Sequence, residues 1–303
     1  MNNFSHTFIS IIIPVFNDNE RLFFCLKALE KQTYPKENYE IIIVDNGSDK
    51  SVYSISNKFA RVKVDYEAKP GSYSARNKGI LLAKGEILAF TDSDCIPAED
   101  WLKNGVEQLL KLNNKGVIAG NINMFYKNPK HPNSVEIYDS ITHLQQEKMV
   151  TKAHFGATAN LFTSKKVFEN VGLFNSELKS GGDAEWGKRA YDYGYPIVYA
   201  DDCCVAHPCR NSLSSILKKA ARVSGGRYKR TKLAQKKQNN YTNYVKAIFR
   251  LRPPLLYAYR KIFFDPGVES NIHKIQVLLI ILVVFYRKQW ETIRLNFGQI
   301  AKR

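Results

Sequence analysis

The stretch Tyr39-Glu40-Ile41-Ile42-Ile43-Val44-Asp45-Asn46-Gly47-Ser48 decides the fold, because an apolar run too short for a helix ends abruptly in turn residues. Four consecutive β-branched residues favour extended backbone, and a run without polar alternation reads as a strand covered on both faces, as in a parallel sheet. Upstream, Ile9-Ser10-Ile11-Ile12-Ile13 repeats the pattern, and Pro14 is expected to stop it. Between the two, Leu22, Leu26 and Leu29 recur at steps of four and three, which predicts a helix from about Asp18 with Asn17 as its cap. Downstream, Val52, Ile55 and Phe59 mark a second helix, 62–66 a weaker strand, 72–84 a helix and 86–91 another buried strand. Strands alternating with helices in this way predict βαβ units. Past Asp94 the alternation loosens into a helix near 100–112, a strand near 117–122 and a helix around 134–149, so the regular winding ends near mid-chain.

The composition, 44% hydrophobic and 24% charged over 303 residues, excludes a disordered chain and allows one large domain or a domain with an appendage. The net charge of +17 is unevenly placed. Met1 to Cys209 holds 24 Lys and Arg against 25 Asp and Glu, whereas Arg210 to Arg303 holds 21 against 3. A near-neutral body therefore carries a basic arm suited to an anionic surface. Five cysteines and a first ten residues without a cationic-then-apolar pattern argue against a secreted disulfide scaffold. The longest apolar run, 275–286, would span roughly 18 Å as a helix, short of a bilayer's hydrocarbon core of roughly 30 Å.

Ligands of an open parallel sheet bind beyond the carboxyl ends of its strands, so acids directly after apolar runs are the first candidates. Asp45 qualifies, although Asp-Asn-Gly-Ser is equally a turn with a helix cap. Asp92-Ser93-Asp94 also qualifies, with Asp94 alternatively capping the helix that contains Trp101 and Leu102. Two carboxylates one residue apart repel unless a cation or ligand hydroxyls offset them, and paired hard oxygens suit Mg²⁺ or Mn²⁺ bound with a diphosphate.

Taken together, Ser10-Ile11-Ile12-Ile13-Pro14-Val15-Phe16-Asn17, Val44-Asp45-Asn46-Gly47-Ser48, Ala75-Arg76-Asn77-Lys78-Gly79 and Asp92-Ser93-Asp94 resemble glycosyltransferase family 2, the inverting nucleotide-sugar transferases. The resemblance covers about residues 8–230. It implies an α/β GT-A fold: a Rossmann-like, mostly parallel twisted sheet flanked by helices, here with a basic helical C-terminal extension. The catalytic domain would occupy 1–210, its nucleotide-sugar half about 1–125 and its acceptor half about 126–210, with 211–303 as the basic region. Pro14, Asp45, Arg76, Asp92, Ser93 and Asp94 would bind the nucleotide sugar. Asp45 would contact base or ribose, Arg76 the base or phosphates, and Asp94 the metal, with Asp92 beside it.

Family members often carry Glu-Asp opening a later helix, whose Asp is the catalytic base. The match here is Ser180-Gly181-Gly182-Asp183-Ala184-Glu185-Trp186, with Gly182 where Glu is frequent, Asp183 as base and Glu185 in reserve. Asp183 could instead only cap its helix. A loop over 179–182 is expected to close over the donor and exclude water. His207 in Ala206-His207-Pro208 resembles the family's late histidine, which joins the metal or the diphosphate and would here be a metal ligand beside Asp94 and Asp92, with a structural histidine as the alternative. Cys203, Cys204, His207 and Cys209 lack the usual zinc spacing.

The resulting expectation is an inverting, metal-dependent transferase. It would use Mn²⁺ or Mg²⁺ and a nucleotide-diphosphate sugar, UDP preferred, to glycosylate a hydroxyl of a lipid-linked glycan or envelope polysaccharide. A non-catalytic nucleotide-sugar-binding protein of the same fold is the alternative. Lys218, Lys219, Arg222, Arg227, Lys229 and Arg230 on an amphipathic stretch, with Val277 to Phe285, suit peripheral attachment to the anionic inner face of the cell membrane from the cytoplasm; packing of 277–285 as a core helix is the competing reading. Nucleic acid is not an expected partner, because the basic excess is absent from the acidic crevice and the arm has no recognisable binding motif.

Overall fold

The computed structural model describes residues 7–234 and, beyond them, 253, 255–263, 265, 267–268 and 270–299. The chain divides into two compact units. The first comprises Met1–Asn123, Leu144–Glu177 and Gly182–His207, and the second Met124–His143, Leu178–Gly181 and Pro208–Arg303.

The first unit is built on a sheet of strands β1 (Ile9–Val15), β2 (Tyr39–Asp45), β3 (Val62–Tyr66), β4 (Ile87–Thr91), β5 (Ile96–Pro97), β6 (Val117–Phe125), β7 (Asn160–Ser164) and β8 (Ile197–Pro208), in the order β3-β2-β1-β4-β7-β6-β8-β5. The first four strands are parallel, with Ile11 opposite Ile41 and Ala89. From β4 onward the pairings to β7, β6 and β5 are antiparallel, so the sheet is mixed and its regular winding ends where the sequence pattern loosens. Ile9, Ile11, Ile12, Ile13, Ile41, Ile42 and Ile43 are all buried, as runs without polar alternation require.

Pro14 does not stop β1. The Val15 carbonyl accepts from Asn46 N–H on the β2 side, so Pro14 faces β4, whose pairing with β1 ends at Ile12; the N–H that proline lacks has no strand to meet there. Asn17 does not cap the first helix, α1 (Asn19–Glu30), whose cap position is Asp18. Its side chain is tied instead to Asp49, by an amide donation of 2.9 Å and an acceptance from Asp49 N–H of 2.8 Å. α2 (Tyr53–Ser56) is a single turn. α3 (Ser72–Leu82) lies close on the sheet, because Gly79 lets it: a Cβ there would stand 2.5 Å from Ile12 Cγ2. α4 (Trp101–Lys111) buries Trp101, Leu102, Val106 and Leu109.

One continuous helix over 134–149 is not formed. α5 (Ser134–Thr142) and α6 (Gln146–Ala153) are separated at Leu144, which has a φ of +47°. α7 (Lys165–Val171) and α8 (Gly182–Asp192) complete the first unit's helices. Asn160, fully buried on β7, accepts from Trp101 Nε1 (2.8 Å) and donates to the carbonyls of Asn121 and Cys203 (2.8 Å each), which joins β6, β8 and α4 at one side chain.

The second unit contains α5, α9 (Leu213–Ala234), α10 (Leu255–Phe263) and α11 (Asn271–Asn296). Ile137, Ile141, Ile216, Ala220, Ile262, Val277, Ile281 and Val284 belong to one core, so that face of 277–285 packs inside as a helix of this unit. No helix of the described residues is long and apolar enough to cross a membrane. Asp139 is buried and accepts from Arg210 and Lys219, and Glu291 is buried between Arg287 and Arg294. Lys219 is therefore a tethered group and not a free headgroup contact; burial and the neighbouring Arg210 pull its ammonium well below the usual lysine range. Within this unit Ser180 and Gly181 pack against α9. A Cβ at Gly226 would stand 2.2 Å from the Ser180 carbonyl oxygen, and the Arg230 guanidinium lies over Gly181. Residues 235–252, 254, 264, 266, 269 and 300–303 of the tail lie outside the described residues.

Candidate active site

The parallel strands β1, β2 and β4 end on one edge of the sheet, and the acids after them gather there. Asp45, at the end of β2, accepts from Ser48 N–H, three residues on, at 3.1 Å, which closes the turn after the strand. Asn46 beside it is buried and holds the approach to α3: its amide donates to the carbonyls of Glu67 and Lys69, and its oxygen accepts from Gly71 N–H at 2.6 Å. Gly71, with a φ of +134°, is a position only glycine occupies without strain. Pro14 stands half-buried on β1.

α3 delivers Arg76, which is 4% exposed and pairs with Asp92. Its Nε has no hydrogen-bond partner among the described residues. A buried guanidinium N–H without an acceptor is costly in isolation and is suited to an anionic ligand group. Ser93, between the two acids, donates to Asp18 Oδ2 at 2.9 Å. Asp18 also takes Arg21 Nε at 2.7 Å, and Arg21 reaches Asp94 Oδ2 at 3.4 Å. Burial raises the Asp18 carboxyl above its ordinary value, against the pull of Arg21. Sequence reading missed Asp18 and Arg21 as site residues; the only signal was their position after the first strand.

His207, buried on β8, places Nε2 3.7 Å from Asp94 Oδ1. The Cys95 sulfur lies within the same cluster, all three ligand atoms falling within 4.8 Å of one another. Burial, then the charges of Asp92 and Asp94, push the Cys95 thiol well up, and it donates to the Ala159 carbonyl, so it remains a protonated core group. Among the predicted metal ligands, Asp94 and His207 stand together while Asp92 is engaged by Arg76. The thiols of Cys203 and Cys209 are likewise buried and free, with no zinc-like cluster around them among the described residues.

Asp183 sits in the first turn of α8, half-buried. Its Oδ1 accepts from Ala184 N–H at 2.9 Å and from the Tyr73 hydroxyl of α3 at 3.2 Å. Burial raises its carboxyl above the ordinary aspartate value, partly offset by Ala184 N–H, Arg76 and Tyr73. Tyr73 is itself buried and its phenol is pushed up by desolvation, so it serves as a donor across the working pH range. The Gly182 departure has a steric reason: a Cβ there would stand 2.7 Å from the Tyr73 ring. Tyr73 thus fills the space in which a glutamate side chain would start. The reserve candidate Glu185 is occupied in a two-point pair with Arg189 (2.7 and 3.2 Å), whose other donors hold the carbonyls of Val171 and Leu173. Arg76 lies 5.7 Å from the Tyr73 ring centre, so Asp92, Arg76, Tyr73 and Asp183 form a continuous chain of contacts.

The sequence profile of glycosyl transferase family 2 matches residues 10–172, more than half of the chain and all of the strand-end acids just described. The chain belongs to glycosyltransferase family 2. This glycosyltransferase is 41% identical over 226 residues to glycosyltransferase AglE of Haloferax volcanii, covering 72% of each chain. It is 28% identical, over 70% of each chain, to a Methanococcus voltae dolichyl N-acetyl-α-D-glucosaminyl phosphate 3-β-D-2,3-diacetamido-2,3-dideoxy-β-D-glucuronosyltransferase. In fold it matches the mannosyltransferase PcManGT of Pyrobaculum calidifontis, solved with GDP-mannose and Mn²⁺, with a TM-score of 0.65 over 97% of this chain and 88% of that one at 16% identity. The GT-A architecture is thereby established for this glycosyltransferase. A carboxylate and an imidazole 3.7 Å apart, with a second carboxylate two residues away, are a donor set that fits Mn²⁺ or Mg²⁺.

Proposed function

We propose that this chain is an inverting glycosyltransferase that moves a sugar from a nucleoside-diphosphate donor, UDP-linked in the first instance, to a hydroxyl of a lipid-linked glycan. Its catalytic part would be 1–210. The observation that carries the reading is Asp183, a desolvated carboxylate held by two donors and connected through Tyr73 and Arg76 to the strand-end acids. A base whose affinity for protons is raised by burial is suited to general-base work near neutral pH.

In the proposed reaction Asp183 accepts the proton of the acceptor hydroxyl while that oxygen bonds to the anomeric carbon from the face opposite the leaving group. The bond from carbon to the diphosphate oxygen breaks, and its electron pair leaves with the nucleoside diphosphate; one displacement inverts the configuration. Arg76, with its unpartnered Nε, offers positive charge to the diphosphate, and Asp45, held by the Ser48 N–H, offers a carboxylate to ribose or base hydroxyls and N–H groups. Asp94 and His207, with Asp92 beside them, would hold Mn²⁺ or Mg²⁺, which when bound supplies charge neutralisation to the departing diphosphate. The lipid-linked acceptor is supported by the substrate in the Methanococcus voltae relative's name and by the basic C-terminal region, which suits work at the inner face of a membrane.

Asp183→Asn tests this. The variant keeps the shape and the Ala184 contact but removes the base, so transfer should fall by roughly a hundredfold or more, while UDP with Mn²⁺ still raises the thermal midpoint as in the wild type. Unchanged turnover would remove Asp183 from the role of base. Intact nucleotide binding with no transfer by the wild type to any lipid-linked acceptor would favour the non-catalytic binding protein.

A further inference from the structure

α11 is apolar on two faces. Val277, Ile281 and Val284 enter the core of the second unit, whereas Ile275, Leu279, Val283, Tyr286, Trp290 and Ile293, at steps of four, four, three, four and three, lie exposed along the other side. That spacing is one continuous stripe on a helix. On α10 Ala258 and Ile262 are buried, while Leu256, Tyr259 and Phe263 repeat the pattern on the open side. Single exposed apolar residues are ordinary on a protein surface, but a stripe running most of the length of a 26-residue helix marks a contact surface.

Charge selects the occupant. From Arg210 to Arg303 only Asp265, Glu269 and Glu291 are acidic; Asp265 is paired with Lys261, and Glu291 is shared by two arginines. Lys274 lies over the Phe263 ring at the edge of the apolar surface, and Arg260 is exposed on α10. Two copies meeting through such faces would bring like charges together, whereas a negatively charged lipid surface meets both requirements, taking the apolar stripe into the headgroup boundary and the cations against the phosphates. The exposed Tyr259, Tyr286 and Trp290 are the side chains that favour this boundary.

We propose that the exposed face of α10 and α11, centred on Leu279, Tyr286 and Trp290, is a docking surface for an anionic lipid bilayer. This deepens the membrane-side acceptor of the proposed function and relocates the contact. It is the opposite face of α11 from the packed Val277, Ile281 and Val284, and it uses neither Lys219 nor transmembrane insertion.

The protein carries its own probe. Trp101 and Trp186 are fully buried, and Trp290 is 59% exposed on this face. The full chain is mixed, without any sugar donor, with vesicles of phosphatidylcholine alone or with phosphatidylglycerol, at low and high salt, and followed by flotation and tryptophan emission. Anionic vesicles should float the protein and shift the emission to the blue, with flotation reduced by salt. Leu279→Asp, at an exposed position that leaves the circular dichroism unchanged, should lower the partition coefficient roughly tenfold or more. Trp290→Phe should float but lose the emission shift. The proposal is overturned if the wild type fails to float with anionic vesicles, if Leu279→Asp floats equally well, or if the wild type sediments as a dimer that Leu279→Asp dissociates. Because no donor is present, these results are independent of whether Asp183 is the base.

Discussion

Tyr73→Phe is the most informative single change at this site, since it deletes one oxygen and leaves the ring against Gly182 in place. The Tyr73 hydroxyl donates to Asp183 Oδ1 at 3.2 Å, long for an O–H to a carboxylate, so its strength belongs at the low end of the range for hydrogen bonds to charged groups, about 1.5 kcal/mol. That bond stabilises the ionised form of Asp183, and its removal raises the carboxyl pKa further, by about one unit at 1.36 kcal/mol per unit. The base must be ionised to take a proton, so the acidic limb of the kcat profile should move up by about one pH unit. Below the limb the variant should be about tenfold slower than wild type, and well above it the two should converge. The assay is transfer rate against pH at saturating donor, with nucleotide affinity measured in parallel and expected to be unchanged, because Arg76 and Asp92 keep their pairing. A uniform fall in rate with the limb in place, or a limb displaced to lower pH, would refute the assignment of Tyr73 as the residue that positions and tunes the base.

Asp94→Ala removes the carboxylate beside His207 and should abolish the Mn²⁺-dependent part of a UDP thermal shift, leaving at most the metal-independent part; a full shift would move the metal elsewhere. Glu40 is buried, and although burial alone would raise its carboxyl, Lys63, the Lys84 N–H and Ser10 hold it below the ordinary glutamate value of 4.5. Its stabilising contribution is therefore present above that value and lost as pH falls through the lower folded value. Between about pH 5 and pH 3 the wild type should lose more unfolding free energy in urea titrations than Glu40→Gln; equal slopes would contradict this. Asn160→Ala leaves the Trp101 N–H and two carbonyls unpaired in the core and should cost about 2–4 kcal/mol by chemical denaturation. A cost near zero would mean that water takes over the bonds.

Much of this molecule was legible in the chain because the relevant signals are local. A run such as Ile41 to Val44 buries both faces wherever it is placed, and an acid directly after it lands at a strand end whatever surrounds it, which is why Asp45, Asp92 and Asp94 could be found by position. The turn to antiparallel pairing beyond β4 coincides with the loss of alternation. Local signals failed where partners are distant. Pro14 continues β1 because β4 has stopped pairing, and the helix expected over 134–149 breaks at Leu144, whose positive φ ends the helical path.

The sequence by itself determined the strand and helix alternation, the strand-end acids, the family and the basic arm, since each depends on neighbours in the chain. Tertiary structure alone decided that Tyr73 holds Asp183 from 110 residues away and displaces the side chain expected at Gly182, and that Glu185 is taken up by Arg189. It also decided which side of α11 is core. Ile275 and Val277 are equally apolar as letters, and only packing against the rest of the second unit distinguishes the one that is buried from the one left facing solvent.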